Sequence, residues 1–283
     1  MTIQAKVILD SLNESNGIRL TTMELTYPRF IHAEFMTHRL FSRNAASSRA
    51  IPVSKMLKMV MDYPAMPVSW GKNQKGMSAD AELKPDDTIK AGHIWLNARN
   101  LAVSFANDLL ELGLHKQITN RLLEPWQNIT VICSATHWTN FFRLRNHKDA
   151  QPEIQELARA MKTAQDESAP IIRDWHIPYI WDDEQHLPLE TKCKISTARC
   201  ARVSYLTHDG RRSIEDDLVL HERLMTGSDH GHWSPFEHVA KQTSKTWDYY
   251  DFAKDEIRNE PIWCGNFQGW IQYRKLHTGE HLK

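Results

Sequence analysis

The pattern of apolar and polar positions begins with two short strand-like runs. Residues 5–9 and 19–25 are rich in β-branched and apolar side chains, which predicts strands. Pro28 follows and suits the first turn of a helix over residues 29–39. In that helix Ile31, Phe35 and His38 share one face. The N-terminal part therefore predicts two strands followed by a helix that ends near a histidine.

The middle of the chain predicts helices separated by one long loop. A short helix over 54–62 precedes an irregular segment, 64–87, which contains Pro, Gly, Ser and Asp. A long helix then runs from a cap at Asp87 or Thr88 to about Leu112, where Gly113 ends it. An apolar stripe at helical spacing supports this helix, through Ala91, Ile94, Ala98, Leu101, Phe105 and Leu109.

Further helices are predicted over 115–123, 152–168 and 214–225. The second has Ile154, Leu157, Ala158 and Met161 on one side, and the third is capped by Ser213. Residues 194–206 predict either a strand or the start of a helix. A weak internal echo links a helix ending at 37–39 with a C-terminal one ending at 272–274. The pattern predicts an α+β fold in which helices dominate, as one domain over residues 1–283.

Composition narrows the class of protein. Lys plus Arg and Asp plus Glu both total 35, so the formal net charge is zero, which disfavours a general nucleic-acid binder. The four cysteines contain no CxxC pair and are too few for a disulfide scaffold, which favours a reducing compartment. Neither a secretory signal nor about 18 consecutive apolar residues is visible. We expect a cytoplasmic protein with no membrane partner and no nucleic-acid partner.

One segment concentrates groups that suit phosphate oxygens. Residues 37–49 contain three arginines, one histidine, one asparagine and three serines at a predicted junction between helix and loop. Arginine forks and serine hydroxyls bind phosphate well, so a single nucleotide is a reasonable ligand. The alternative is a solvated loop beside a helix end.

Two other segments carry candidate chemistry. His230, His232, Glu237 and His238 suggest a metal site at first sight, but Pro235 prevents a helical His-x-x-x-His pair, so a polar ligand-binding turn is favoured. Residues 140–145 read Asn-Phe-Phe-Arg-Leu-Arg and carry two cations at alternating positions, Arg143 and Arg145. Either both are surface charges, or one of them faces a site. Neither a Gly-x-Gly-x-x-Gly nor a P-loop pattern occurs, which disfavours those nucleotide sites.

Together these segments resemble the flavin-dependent (ThyX-like) thymidylate synthases. The hallmark Arg-His-Arg-x-x-Ser-x-Asn-Glu-x-Ser-x-Arg-Tyr is matched at six positions by residues 37–50. Residues 140–155 are similar to the family's Asn-Phe-Leu-x-Leu-Arg and Ala-Gln-x-Glu-Ile-Gln stretch. Residues 199–205 and 231–238 are similar to its Arg-Ala-x-Arg-Val-Ser and Gly-His-x-Ser/Thr-Pro-Phe-Glu-His segments. In the family those two segments precede the hallmark, whereas here they follow it.

The resemblance implies a fold and a reaction. Its fold has helices packed on a mainly antiparallel sheet, with the segment order here permuted or partly duplicated between a hallmark part, 1–170, and a part over 190–283 that is similar to the family's N-terminal part. Members bind FAD and dUMP in a site shared between subunits of a homotetramer. Methylenetetrahydrofolate supplies the carbon for dTMP, and NADPH reduces the flavin, with no cysteine nucleophile.

Residue roles are also implied by the resemblance alone. The residues that would face FAD are His38, Arg39, Asn44, Asn140, Ser204, His232, Ser234 and Glu237. The residues that would face the nucleotide are Ser47, Arg49, Arg121 and Arg145, with Ser47, Arg49 and Arg145 closest to the chemistry. Arg145 would polarise the pyrimidine ring and stabilise developing negative charge. No metal ligand is implied.

Departures from the hallmark leave the substrate open. Thr37, Ala45 and Ala50 replace an arginine, a glutamate and a tyrosine, and Glu34 stands where the family often has glutamine. A carboxylate at Glu34 suits an exocyclic amine such as that of cytosine. The alternatives are therefore methylation or hydroxymethylation of dCMP or a related nucleotide, and a homologue that binds flavin or nucleotide without turnover.

Overall fold

A five-stranded sheet forms the centre of the computed structural model, which describes residues 3–203, 213–226, 231–251 and 253–277. Its strands lie in the order β3, β4, β2, β1, β5, and every pairing except β1 with β5 is antiparallel. The bounds are β1 Gln4–Leu12, β2 Arg19–Pro28, β3 Ser42–Ala45, β4 Asn128–Ala135 and β5 Ile171–Ile172. The predicted α+β class with a mainly antiparallel sheet is confirmed.

Eight α-helices surround this sheet within the described residues. Their bounds are α1 His32–Phe35, α2 Val53–Asp62, α3 Pro85–Glu111, α4 Lys116–Thr119, α5 Thr139–Arg145, α6 Pro152–Asp166, α7 Leu189–Arg202 and α8 Ile214–Thr226. Helix α6 packs on β1 and β2 through Ile154, Leu157 and Met161, which are fully buried as the predicted stripe requires. Ser213 caps α8 through its hydroxyl, as predicted.

The C-terminal part adds smaller sheets. A three-stranded sheet has the order β12, β7, β6, and two hairpins pair β8 with β9 and β10 with β11. The bounds are β6 Trp175–His176, β7 Ala240–Gln242, β8 Thr246–Asp251, β9 Glu256–Pro261, β10 Trp263–Cys264, β11 Phe267–Gln268 and β12 Trp270–Gln272. Residues 270–274 therefore form a strand and a 3-10 turn, so the predicted helix of the internal echo is wrong.

The predicted helix over 29–39 is much shorter than its pattern indicated. A 3-10 turn covers Arg29–Ile31, and α1 ends at Phe35. Beyond it the Thr37 hydroxyl donates to the Glu34 carbonyl at 2.7 Å, and Arg43 donates to the Phe35 carbonyl at 3.0 Å. Because these carbonyls also bond side chains, and accept amides three residues on instead of four, the chain continues as single turns to His38.

Two other helix predictions need correction. Helix α3 begins at Pro85, with Lys84 as its cap, because proline tolerates the first helical position well. The predicted helix 115–123 is the short α4 followed by a 3-10 segment, Asn120–Trp126, which includes Pro125. Residues 194–202 continue a helix that started at Leu189, which resolves the open choice between strand and helix.

Within the described chain, no helix is both long and apolar enough to cross a membrane.

The predicted stripe on α3 points in an unexpected direction. Ile94, Leu101 and Phe105 are exposed, whereas Trp95 and Ala106 pack with Leu123 and Trp126 in a second apolar cluster. The helix therefore has two apolar faces, and the more regular of them is the one that solvent reaches.

Candidate functional site

Arg145 at the end of α5 lies between a carboxylate and an imidazole. Its Nη1 donates directly to Oε1 of Glu34, and its Nε donates to Nε2 of His38 at 2.9 Å. The two partners come from the end of α1 and the turns that follow it, more than a hundred residues away in sequence. The guanidinium is thus held in one orientation from two sides.

The imidazole in this group is neutral at ordinary pH. Burial, and secondarily the positive charges of Arg145 and Arg43, lower the pKa of His38 to about 4. A neutral ring leaves Nε2 free to accept the hydrogen bond from Arg145. The ring also stacks on Phe41 at 6.0 Å and meets the edge of Phe141 at 4.8 Å. These contacts fix the imidazole, and through it the arginine.

A second group joins β3 to the C-terminal part. The Asn44 amide donates to the Cys200 carbonyl at 2.9 Å, and its oxygen accepts from the Ser234 hydroxyl at 2.9 Å. Ser234 begins a 3-10 turn, Ser234–His238, in which Glu237 accepts from Nη1 of Arg274 at 2.5 Å. Asn44 is buried and its amide is engaged at both ends, so the structure gives it a positioning role between two segments rather than an open face.

The charge of Arg43 links these two groups, because it acts on His38 in the first group and is itself acted on by Glu237 in the second. It stands on β3 directly before Asn44 and points to the opposite face, where it donates to the Phe35 carbonyl. Burial lowers the pKa of Arg43, and the neighbouring charge of Glu237 acts in the opposite direction. The motif contained Arg43, but the sequence gave it no role. Its half-buried position on a strand beside the motif's asparagine is the signal that identifies it.

A third group suits phosphate by its charges. The loop that carries Ser47 and Arg49 is held by Asn120, whose amide donates to the carbonyls of Ser48 at 2.7 Å and Ile51 at 2.9 Å. Lys116 adds a bond to the Ala50 carbonyl at 3.2 Å. Arg121 follows Asn120 directly, is exposed, and pairs with Glu124 at 2.7 Å. The structure therefore brings the loop of Arg49 against the segment of Arg121.

Other predicted site residues are only partly placed together. Arg39, Asn140 and His232 are exposed. Asn140 accepts from Arg143 on its own helix at 3.4 Å, and the His232 amide donates to the Leu224 carbonyl at 2.7 Å. Ser204 and His230 lie outside the described residues. Among the residues that are described, no group of three or more His, Cys, Asp or Glu side chains is placed to hold a metal ion.

Comparison with known proteins gives one family. The family model described as thymidylate synthase complementing protein matches residues 20–171, which is more than half of the chain. A curated relative, the flavin-dependent thymidylate synthase of Aquifex aeolicus (strain VF5), is 22% identical over 166 residues, covering 55% of this chain and 48% of its own length. The chain thus spans about half the length of that relative.

Two solved structures overlap more loosely. Both are of a UMP/dUMP methylase, PolB, from Streptomyces cacaoi. The form bound with 5-Br dUMP is 21% identical, covers 52% of this chain and 66% of that one, and has a TM-score of 0.44. The form bound with 5-Br UMP is 16% identical, covers 58% and 88%, and has a TM-score of 0.47. An overlap this distant supports no further statement about this chain.

Proposed function

Because this chain belongs to the thymidylate synthase complementing protein family, we propose that it is a flavin-dependent enzyme that transfers a one-carbon unit from methylenetetrahydrofolate to C5 of dUMP, giving dTMP. NADPH would be the reductant and FAD the cofactor. The observation that carries the proposal is the orientation of Arg145 by Glu34 and His38. A cation held in a fixed direction stabilises negative charge as it develops on a pyrimidine ring.

The residues present fit a flavin and a nucleotide by their donor chemistry. Exposed Arg39 and His232, with the Ser234 hydroxyl, supply the cation and the hydrogen-bond groups that a dinucleotide needs. The flavin, when bound, supplies the hydride chemistry. Ser47, Arg49 and Arg121 would bind the nucleotide phosphate. Asn44 would hold the 234–238 turn against β3, because its side chain bridges Cys200 and Ser234.

Arg145 has a defined part in the proposed reaction. Glu34 and His38 hold Nη1 and Nε of the guanidinium, so its remaining N–H groups are aimed rather than free to rotate. His38 stays neutral and contributes no positive charge beside the ring. The positive charge of this group therefore comes from the arginine alone, with the Glu34 carboxylate as its counter-ion. We further propose that the site is completed by neighbouring copies in a homo-oligomer, as the family resemblance implies.

The experiment begins with the visible absorption of the purified protein before and after adding FAD. Turnover is then measured with dUMP, methylenetetrahydrofolate and NADPH, and the product is identified by mass. Arg145→Lys should lower turnover by about 100-fold, in the range for loss of one oriented donor. Arg143→Lys, at an exposed position two residues earlier, is the matched control. A chain that binds no flavin, or an Arg145→Lys variant with unchanged turnover, would contradict the proposal.

A second candidate substrate is dCMP, and the pairing of Glu34 with Arg145 favours it. The pair presents an acceptor beside a donor. If Glu34 faces position 4 of the ring, the pair matches cytosine, whose exocyclic amine lies beside an acceptor nitrogen, whereas uracil has the reverse order there. The product would be a methylated or hydroxymethylated cytosine nucleotide, and the two differ in mass and in their need for NADPH.

Glu34→Gln separates the two substrates. If Glu34 reads a cytosine amine, the variant should lose preference for dCMP over dUMP by about 10-fold, which is close to one hydrogen bond. The measurement is kcat/KM for both nucleotides in wild type and variant. An unchanged ratio would remove the support for dCMP, while leaving the reaction on dUMP intact.

A further inference from the structure

The exposed face of α3 has the properties of a helix–helix interface. Ile94, Leu101 and Phe105 are 68%, 62% and 59% exposed, and with Ala98 they follow the spacing of four, three and four residues that keeps side chains in one line. Within this 27-residue helix only Ala106 is fully buried. Large exposed apolar side chains that form one line along a long helix often mark a binding surface.

The size of the stripe matches part of an interface between proteins. The helix is about 40 Å long. Its exposed apolar side chains present on the order of 400 Å², which lies within the range of about 300–600 Å² for the largest patch on a monomer and is about half of one side of a standard interface. Lys90 and Asp108 lie along one flank of the stripe and would form that part of the rim.

The order of side chains along the stripe is self-complementary. If a second α3 runs antiparallel and the two cross midway between Ala98 and Leu101, Ile94 lies opposite the Phe105 of the second copy. The small Ala98 then lies opposite Leu101, so a large side chain meets a small one at the centre. A parallel arrangement would place each residue opposite itself and lose this match.

Charge supports the same orientation. At 100° per residue, Lys90 and Asp108 lie on the same flank of the stripe, one near each end of the helix. In an antiparallel pair equal flanks face each other, so Lys90 of one copy meets Asp108 of the other, twice. Within the described part of one chain, the ion pair of Lys90 is an exposed one with Asp87 at 3.6 Å, which is weak and easily exchanged.

We propose that α3 pairs antiparallel with the α3 of a second copy of this chain, about a two-fold axis near residues 99–100. The interface is isologous, since the same surface serves both partners. The proposal locates an interface that the family resemblance leaves unplaced. It stands whether or not the chain turns over a nucleotide.

The first test is the molar mass of the full chain by light scattering over a range of concentrations. Leu101→Glu, which puts a charge at the centre of the stripe, should reduce the assembly to half its mass or raise its dissociation constant at least 100-fold. Ile89→Glu is the matched control, because Ile89 is also 59% exposed but lies on another side of α3. Circular dichroism confirms that both variants keep the fold.

The second test concerns orientation. Lys90→Asp and Asp108→Lys should each weaken the assembly about 10-fold, and the double variant should restore wild-type mass. A wild-type chain that stays monomeric at every concentration would overturn the proposal, as would equal effects of Leu101→Glu and Ile89→Glu. A double variant as weak as the single variants would overturn the antiparallel arrangement.

Discussion

Asn44 shows how a polar side chain from the motif serves the fold as well as the candidate site. Its two hydrogen bonds join residues that are 156 and 190 positions away in sequence. The sequence placed Asn44 and Ser234 in one site through the family resemblance, and the structure puts them in contact. Whether either residue touches a flavin remains a prediction that the spectra will test.

The Asn44→Asp variant measures how much the buried amide contributes to the free energy of unfolding. The carboxylate has no hydrogen to donate to the Cys200 carbonyl and would repel it, so we expect the free energy of unfolding to fall by about 1–3 kcal/mol. Urea denaturation measures this change. Asn97→Asp, at an exposed position on α3, is the control and should change stability by less than about 0.5 kcal/mol. Equal effects at the two positions would contradict the importance of this contact.

Sequence reasoning could not find the pairing of Arg145 with Glu34 and His38. The alternation of Arg143 and Arg145 indicated that only one of them faces a site, and the structure shows Arg145 engaged and Arg143 exposed. The identity of its partners depended on how α1 ends, and that end is set by side-chain bonds to backbone carbonyls rather than by apolar spacing. The partners are therefore a tertiary result.

At the scale of elements, α7 and α8 are joined through buried charges. Arg199 on α7 donates through Nη1 and Nη2 to Glu184, at 2.6 Å each, and through Nε to Asp217 of α8 at 2.8 Å. Arg202 reaches the other oxygen of Asp217 at 2.8 Å. The sequence matched this segment to a family motif but did not predict that its arginine would be almost fully buried.

Arg199→Met should destabilise the protein strongly. The change leaves Glu184 and Asp217 buried without their main cation, which costs about 3–5 kcal/mol. Chemical denaturation measures the loss. Arg223→Met on the exposed side of α8 is the matched control and should be close to neutral. A small effect at Arg199 would mean that water reaches these carboxylates.

The helix bounds were predicted correctly where one face of the helix is buried. They were predicted wrongly where side chains bond to backbone carbonyls at the helix end. Helices α2, α6 and α8 follow their apolar or capping signals to within two residues. Helix α3 was found by its stripe, but the stripe shows only that some apolar partner is needed and not whether that partner is the chain's own core. The first helix failed because Thr37 and Arg43 bind its last carbonyls.

At the scale of the whole molecule, a series of buried hydrogen bonds connects the region that the family model matches, residues 20–171, to the C-terminal part. His176 bonds Ser11 at 2.8 Å and Thr22 at 2.7 Å, and Ser134 bonds Thr22 at 2.5 Å and His238 at 2.8 Å. All five side chains are fully buried. The hairpin turn between β1 and β2 adds bonds from Asn13 to the carbonyls of Thr243 and Gly269. The two parts are thus held together by buried hydrogen bonds, although Nε2 of His238 has no partner within the described residues.

The two histidines in this series of hydrogen bonds make the free energy of unfolding depend on pH. Burial lowers the pKa of His176 and of His238 to about 3, below their ordinary value of 6.5. Both are neutral in the fold, whereas the unfolded chain takes up protons below about pH 6.5. Stability is therefore fully present above that pH and falls as the pH drops toward 3. At pH 5 each histidine should cost about 2 kcal/mol.

Urea unfolding at pH 7.5 and 5.0 measures this loss. His238→Gln should shrink the difference between the two conditions by about 2 kcal/mol, because one titrating group is gone. His186→Gln at an exposed position should leave the difference unchanged. An equal pH dependence in wild type and His238→Gln would refute the assignment.

The sequence by itself determined the α+β class, most helices and the family, because apolar periodicity and a long motif are properties of neighbouring residues. It also assigned the candidate residues to one predicted site. Only the tertiary structure decided which of them meet, since Arg145 and Glu34, or Asn44 and Ser234, are brought together by tertiary packing across more than a hundred residues. It also decided that the regular stripe of α3 faces solvent, because a helix with two apolar faces can bury only one of them against its own core.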